Sequence, residues 1–514
     1  MPDTLRLAQR IGWLLRANRI HAPEPEMRRL RRFAETWADV LPGPPPSIDA
    51  LSRWENSTAL VPHAGVRGYE AILGLRGEPL VAITDTVARY FRGAACAAPQ
   101  LARREITDEI AAQRLDTLIE MAVTDGIVSG PEWNELTALL CRTPYAILSP
   151  KRTWETLSER LLIEMAISDG VMWMHRAEAY QRLMAHPVGG AAAIAAAAAA
   201  SADRGVQSMV GTVSVFDSTA APAAADLVVG HLYSPLTDRT FAGALLACFR
   251  KVGQGHFRTG QLVVVSDLLT DLLGGPVTAG TAALAGAILR QLPVHLRQRV
   301  PVRIWKLLIA EPGPPEWSVT DEIAAAVAAA TTEAWDDVIL RALIRESVLA
   351  DVFDQRLYAQ FMIYSTPYRA PVARELGAAL RRRRHDRDWA VPLVEALRVI
   401  GGPAERHDVE LLVLDRTLPA AIRDTAASAL GHIGGTSPAA FWATALSTTR
   451  LNYHTTAGQS EISVLDRLVY AMGMAGADGA LGLVSATPDL PARIRASANW
   501  WLSLAPYLRR SART

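Results

Sequence analysis

The strongest constraint on this chain is an internal repeat in its C-terminal part. ALRVIGG (396–402) returns as ALGHIGG (429–435) and again as AMGMAGA (471–477). Each copy closes a helix-periodic apolar segment with small residues and glycine. A second pair, LPAAIR (418–423) and LPARIR (490–495), marks proline-started helices. Repeats of roughly 20 to 50 residues imply stacked helical pairs, because no single unit buries its own apolar face. PLTDRTFAGALLACFRKVG (235–253) is a looser echo, and 205–510 is read as an irregular α-solenoid.

The rest of the chain is helical by the same criterion. Leu5, Ala8, Ile11, Leu14 and Leu15 follow the three/four spacing of a buried helix face, as do Leu118, Met121 and Ala122. The best strand candidates, SMVGTVSVF (208–216) and QLVVVSDLL (261–269), read equally well as buried helix. The expected fold class is all-α. With 514 residues, 50% of them apolar and 20% charged, the chain should be mostly ordered and split into two to four domains. The small-residue run RGAACAAPQLAR places a linker at 93–104, after a first domain at 1–92. A helical domain follows at 105–188 and an Ala-rich connector at 189–204.

The 105–188 domain has its own repeat. LIEMAVTDGIV (118–128) recurs as LIEMAISDGVM (162–172), each a helix ending at Asp-Gly where glycine suits a left-handed cap. The pattern resembles the tellurite-resistance TerB-like helical domain. Asp125 and Asp169 lack the further oxygen ligands and closing glutamate of a calcium loop, so a helix-cap role is expected.

Catalytic chemistry finds no foothold. GGPVTAGTAALAG (274–286) has glycines but no lysine for a phosphate loop, and neither G-x-S-x-G nor H-E-x-x-H occurs. None of the 11 histidines has another at ligand spacing, and His175 with Glu178 reads as a surface helix pair. Cys96, Cys141 and Cys248 are too few and too far apart for a disulfide framework or zinc site. The expectation is no enzyme activity, no metal and no cofactor. MPDTLRLAQRIG lacks a signal-peptide layout, and GGAAAIAAAAAASA (189–202) is too short to span a bilayer. A cytoplasmic protein with no membrane role is expected.

Net charge is only +1, so any nucleic-acid surface must be local. The best local candidate is PPPSIDALSRWENSTALVP (44–62). Residues 5–92 read as five helices, LRLAQRIGWLLRANR, MRRLRRFAETWADVL, SIDALSRWE, GVRGYEAILGL and EPLVAITDTVARYF. The short PGPPP turn between the second and third gives a helix-turn-helix layout. Ser47 suits the N-cap, and Asp49 in the first turn favours the helix dipole.

LSRWENS followed by VRGYEAILGL resembles the XRE/Cro-CI family of helix-turn-helix regulators, of the actinobacterial type. The resemblance covers residues 5–92. It implies that Ser47, Ile48, Asp49 and Arg53 lie on the base-reading face, with Arg53 able to grip guanine bidentately. It places Ser52, Asn56 and Ser57 by the phosphate backbone and pairs Glu55 with Arg16 in a structural contact. Arg28, Arg29 and Arg32 in the basic second helix are expected to contact phosphate. Two departures stand out. Ser57 occupies the family's glycine position, and HAPEPE is inserted between the first two helices. Residues 1–100 hold 13 arginines against 10 carboxylates, a surplus of 3 that favours a homodimer sharing the work across half-sites.

LPAAIRDTAASALGHIGG (418–435) resembles the second helix of a HEAT-like repeat. The basic run RRRRHDRD (381–388) is read as a solvated inter-repeat loop. The function expected is a DNA-binding transcriptional regulator that contacts double-stranded DNA, with repeats that bind a peptide or protein or mediate oligomerisation. The alternative is a helical-repeat scaffold whose helix-turn-helix is vestigial or docks protein.

Overall fold

The computed structural model describes residues 7–92 except 42, 108–142, 148, 150, 152–202, 212–309 except 218, 318–330, 337–350, 352–456 and 459–514. These residues are helices and connections with no strand, so the fold is all-α. The chain divides into two compact units, one of residues 1–92 with 316–480, the other of 93–315 with 481–514. No described helix is long and apolar enough to cross a membrane.

The first unit begins with α1 (Leu7–Ile20), α2 (Leu30–Val40), α3 (Ile48–Glu55), α4 (His63–Ile72) and α5 (Pro79–Arg92). The second of the five expected helices is split. Pro25–Arg28 is a 3-10 turn, and Arg29 is extended before α2 begins. Amphipathic α2 buries only Phe33 and Trp37, whereas α1 is buried on nearly every side. That follows from its place, packed against α3, α4 and α5 and also against the repeat region of its own unit. Rings of Phe33, Trp37, Trp54 and Tyr69 fill the space between α2, α3 and α4, Phe33 and Tyr69 with centroids 4.7 Å apart.

The second unit runs through α6 (Asp108–Val123), α7 (Gly130–Arg142), α8 (Arg152–Ile167), α9 (Gly170–Ala185) and α10 (Gly190–Ala202). A 3-10 turn (Thr212–Asp217) follows, then α11 (Pro222–Tyr233), α12 (Asp238–Gly253), α13 (Thr259–Leu273), α14 (Ala279–Gln291), α15 (Val294–Arg297) and α16 (Val302–Ile309). The stretch 261–269 lies inside α13 as helix, burying Val265, Ser266 and Leu269 and exposing Val264 and Asp267. The alanine-rich segment is more than a connector: α10 buries Ala193, Ile194 and Ala197 against α8, and its Ala193 carbonyl accepts from Tyr180 Oη at 2.7 Å. The expected linker at 93–104 lies outside the described residues.

The Asp-Gly repeat is resolved differently in its two copies. Gly170 takes a left-handed φ of 55° at the start of α9, while Gly126 does not adopt positive φ. The carbonyls at the end of α6 are met instead by Arg160, which donates to Met121 at 2.9 Å and Ala122 at 3.0 Å. Arg160 and Arg176 share the buried carboxylate of Glu164, at 2.8 and 3.3 Å, and Trp133 Nε1 donates to it at 2.7 Å. His175 is fully buried, not a surface residue, with Nδ1 3.2 Å from Asn134 Nδ2.

The repeat region of the first unit is α17 (Ser318–Ala330), α18 (Asp337–Leu349), α19 (Phe353–Tyr364), α20 (Arg369–Arg383), α21 (Arg387–Ile400), α22 (Pro403–Leu414), α23 (Ala420–Ala429), α24 (Ala439–Thr456) and α25 (Gln459–Ala475). Consecutive helices pair, and the pairs stack in two layers. One layer holds α20, α22 and α24, the other α19, α21, α23 and α25. The three glycine-rich repeats end α21, α23 and α25, all in the second layer. A Cβ at Gly401 would strike the Leu397 carbonyl and the Ile433 side chain, so glycine there sets how closely successive pairs approach. The last helices, α26 (Asp478–Ala486), α27 (Ala492–Ser503) and α28 (Pro506–Ser511), return to the second unit, so 205–510 is divided between units. The physical reason is local: Ser511 sits on the buried arginines, its Oγ accepting from Val128 N at 3.2 Å and its carbonyl from Arg176.

Candidate nucleic-acid interface

The third helix begins and ends as its residues dictate. Ser47 Oγ accepts from Ala50 N at 3.1 Å, which satisfies one orphan donor of the first turn. At the other end Ser57 N donates to Trp54 O at 3.1 Å and Thr58 N to Arg53 O at 3.0 Å. These are the two bonds of a Schellman cap, with Ser57 in its left-handed position at φ 62°. The turn keeps the geometry that glycine would supply, at the cost of strain. Ser57→Gly should therefore raise stability by about 1 kcal/mol, read as a melting temperature a few degrees higher. An unchanged or lower midpoint would contradict this account of the cap.

Leu51 and Glu55 are buried, while Ser47, Ile48, Asp49, Arg53 and Asn56 are exposed and Ser52 is half-buried. The four residues expected to read bases therefore share the open side of α3. Arg53 has no hydrogen bond or ion pair to its guanidinium among the described residues, so its fork is available. Asn56 Nδ2 donates to Ser52 Oγ at 3.1 Å, tying these two side chains to each other.

Glu55 is paired, but the partner corrects the sequence expectation. Its two oxygens are taken by Arg19, Nε and Nη2 each at 2.6 Å, three residues beyond the expected Arg16. Arg16 is half-buried and Arg19 fully buried, and the crossing of α1 and α3 presents Arg19 to the end of α3. Tyr69 Oη adds a third donor to Glu55 Oε1 at 2.7 Å. Burial and the nearby Glu55 charge hold the Tyr69 hydroxyl well above its ordinary pKa, so it remains a donor. Arg19 Nη1 also donates to the Arg28 carbonyl, which fastens the basic segment beside the C-terminal end of α3. Gly12 allows this crossing, because a Cβ there would lie 2.6 Å from the Trp54 carbonyl oxygen.

Arg28 and Arg29 are exposed and carry no ion pair among the described residues. Arg32 is also exposed, but its guanidinium lies 3.4 Å from Glu26 and 3.2 Å from Glu35. A phosphate would have to compete with those carboxylates. At the end of the helical set, Glu70 of α4 reaches the start of α5, accepting from Leu80 N at 2.5 Å and Val81 N at 3.0 Å. Burial pushes its carboxyl up to about 8, although the two backbone donors work against that rise.

This helical set is seated on the repeats of its own unit. Arg10 Nη2 meets both Glu346 oxygens at 2.8 and 2.6 Å, and Asn18 Nδ2 donates to the Ser365 carbonyl at 2.9 Å. The Tyr368 ring stacks on Trp13 with centroids 6.0 Å apart, and its hydroxyl lies 3.0 Å from His21 Nε2. Sequence reading missed Arg10, Arg19 and Tyr69, since a buried ion pair has no local signature distinct from a surface arginine. The run at 381–388 forms the end of α20 and the cap of α21, with Arg381 2.5 Å from Asp408 and Arg383 over the Trp389 ring. Among the described residues no three histidine, cysteine or acidic side chains are grouped to hold a metal ion. Compared with known proteins, the chain matches no family model, no curated protein and no solved structure.

Proposed function

We propose that residues 7–92 are a helix-turn-helix DNA-binding domain of the XRE/Cro-CI type, and that the protein is a cytoplasmic, sequence-specific transcriptional regulator acting as a homodimer. The observation that carries this reading is the arrangement of α3. Its Ser47, Ile48, Asp49 and Arg53 side is open, while its other side is locked through Glu55 to Arg19 and Tyr69. Rigid support beneath an exposed polar ridge is what base reading requires. Arg53 reads a guanine, Asp49 accepts from cytosine or repels unwanted phosphate, and Arg28 and Arg29 hold the backbone. The stacked repeats receive the regulatory partner.

Arg53→Ala should weaken binding to the preferred sequence by about 1–3 kcal/mol and relax preference at one base position. The Arg28→Ala, Arg29→Ala double variant should weaken all DNA alike and reduce the salt slope by about 2. Binding isotherms over a salt series, on a site selected from random DNA, separate the two effects. Unchanged sequence preference in the Arg53 variant would sink the base-reading role.

The second reading is a scaffold in which this domain docks protein. It is favoured by the exposed Asp49 on the reading face and by Arg32 being held between two glutamates. A strict monomer that enriches no sequence from random DNA would select it.

A further inference from the structure

The second layer of the repeat stack contains a cleft of about 200 Å³. Phe353, Arg356 and Leu357 from α19 line it, with Glu395 and Arg398 from α21, Asp424 and Ser428 from α23 and Arg467 from α25. Three guanidiniums thus face two carboxylates. Arg356 is satisfied, donating to the Ala350 carbonyl at 2.7 Å and lying 3.3 Å from Glu395. Asp424 accepts from Ser463 Oγ at 2.5 Å, and its other oxygen lies 3.6 Å from Arg467 Nε. That nitrogen is buried and without a hydrogen bond. Arg398 is half-buried and has neither hydrogen bond nor ion pair to its guanidinium among the described residues.

We infer that this cleft binds a monocarboxylate bearing an apolar group, whether a small organic acid or the C-terminal residue of a peptide, with Arg398 as its anchor. One positive charge is left over, and a guanidinium fork matches a carboxylate in two parallel hydrogen bonds. Glu395 and Asp424 in the same lining oppose a dianion, which turns the site away from phosphate. Leu357, buried, and Phe353, exposed at 37%, supply the apolar wall. At about 10–15 Å³ of such space per water-sized group, the cleft holds on the order of 15 non-hydrogen atoms, enough for a small acid or one terminal residue and too few for a bulky cofactor.

One wall of the cleft, α19, also packs on the helices that carry α3. The same α19 that contributes Phe353, Arg356 and Leu357 packs against α5, and the residues just after it, Ser365 and Tyr368, grip α1. A ligand that orders α19 therefore biases the seat of the DNA-binding helices. This regulatory consequence rests on the DNA-binding reading, whereas the binding site does not.

The test uses the full chain. Binding of phenylacetate and of N-acetyl-Ala-Ala-Leu with a free carboxylate is followed by titration calorimetry and ligand-observed NMR, beside phenylacetamide and the C-terminally amidated peptide. At least one acid should bind and its amide should not. Arg398→Ala and Arg398→Gln should each lose at least about tenfold in affinity with an unchanged circular dichroism spectrum. Binding of phenylacetate alone identifies a small acid as the ligand class, and binding of the peptide alone identifies a C-terminus. Amides that bind as well as acids, full affinity in both Arg398 variants, or no binding of either acid would overturn the site. DNA affinity is then measured with and without the bound acid, where a change of roughly five- to hundredfold is expected. Absence of any DNA binding would remove the proposed function and leave the carboxylate site standing.

Discussion

Replacing Glu55 with alanine lowers the stability of the first unit by about 3–5 kcal/mol, the range for breaking a buried ion pair by deleting one partner. The Arg19 guanidinium would keep its burial and lose both of its 2.6 Å bonds, and Tyr69 Oη would lose its acceptor. At the usual scaling for a domain of this size the melting temperature falls by roughly 10 °C. Hydrogen exchange should show the loss concentrated at 47–57, because Glu55 is what clamps the end of α3. The triple variant Arg19→Leu, Glu55→Leu, Tyr69→Phe should recover most of the stability, since apolar replacement of a whole buried polar set removes its desolvation cost as well. A Glu55→Ala protein within about 1 kcal/mol of the parent would refute the lock.

The second large effect is a dependence on pH that comes from Glu70. Its folded pKa of about 8 lies above the ordinary value of 4.5. The folded chain holds this proton more tightly than the unfolded chain. Its contribution is therefore fully present below about pH 4.5 and is lost as pH rises through about 8. Between those limits stability falls by up to about 1.4 kcal/mol per pH unit. The physical cause is burial, which outweighs the donors Leu80 N and Val81 N. Glu70→Gln keeps an oxygen for the start of α5 and removes the charge. Denaturation from pH 5 to 8 should then lose this slope, and a slope identical in parent and variant would assign the dependence to other groups.

Both effects depend on burial, which no local pattern shows. Glu55 was legible as one half of a pair, because the string ending in Trp-Glu carries the resemblance. Its partner was not, since Arg16 and Arg19 lie close together on one helix and only the angle of the α1–α3 crossing selects between them. Ser57 is the opposite case. Serine in place of the expected glycine could be read directly, and the structure holds it in a left-handed turn at φ 62°. His175 illustrates the cost of spacing arguments: the i,i+3 glutamate invited a surface reading, yet the helix is enclosed and the ring is fully buried.

By itself the amino-acid sequence determined the all-α class, the places where α3 starts and stops, and the glycine-rich segments that follow α21, α23 and α25. Those features depend on periodicity and capping, which act over a few residues and are written locally. Tertiary structure alone decided that residues 1–92 join 316–480 in one compact unit, that Arg19 rather than Arg16 meets Glu55, and that Arg398 is left over among three guanidiniums and two carboxylates. Each of those depends on which side chains from distant segments are buried together. Burial sets the strength of a charge, and no local pattern encodes it.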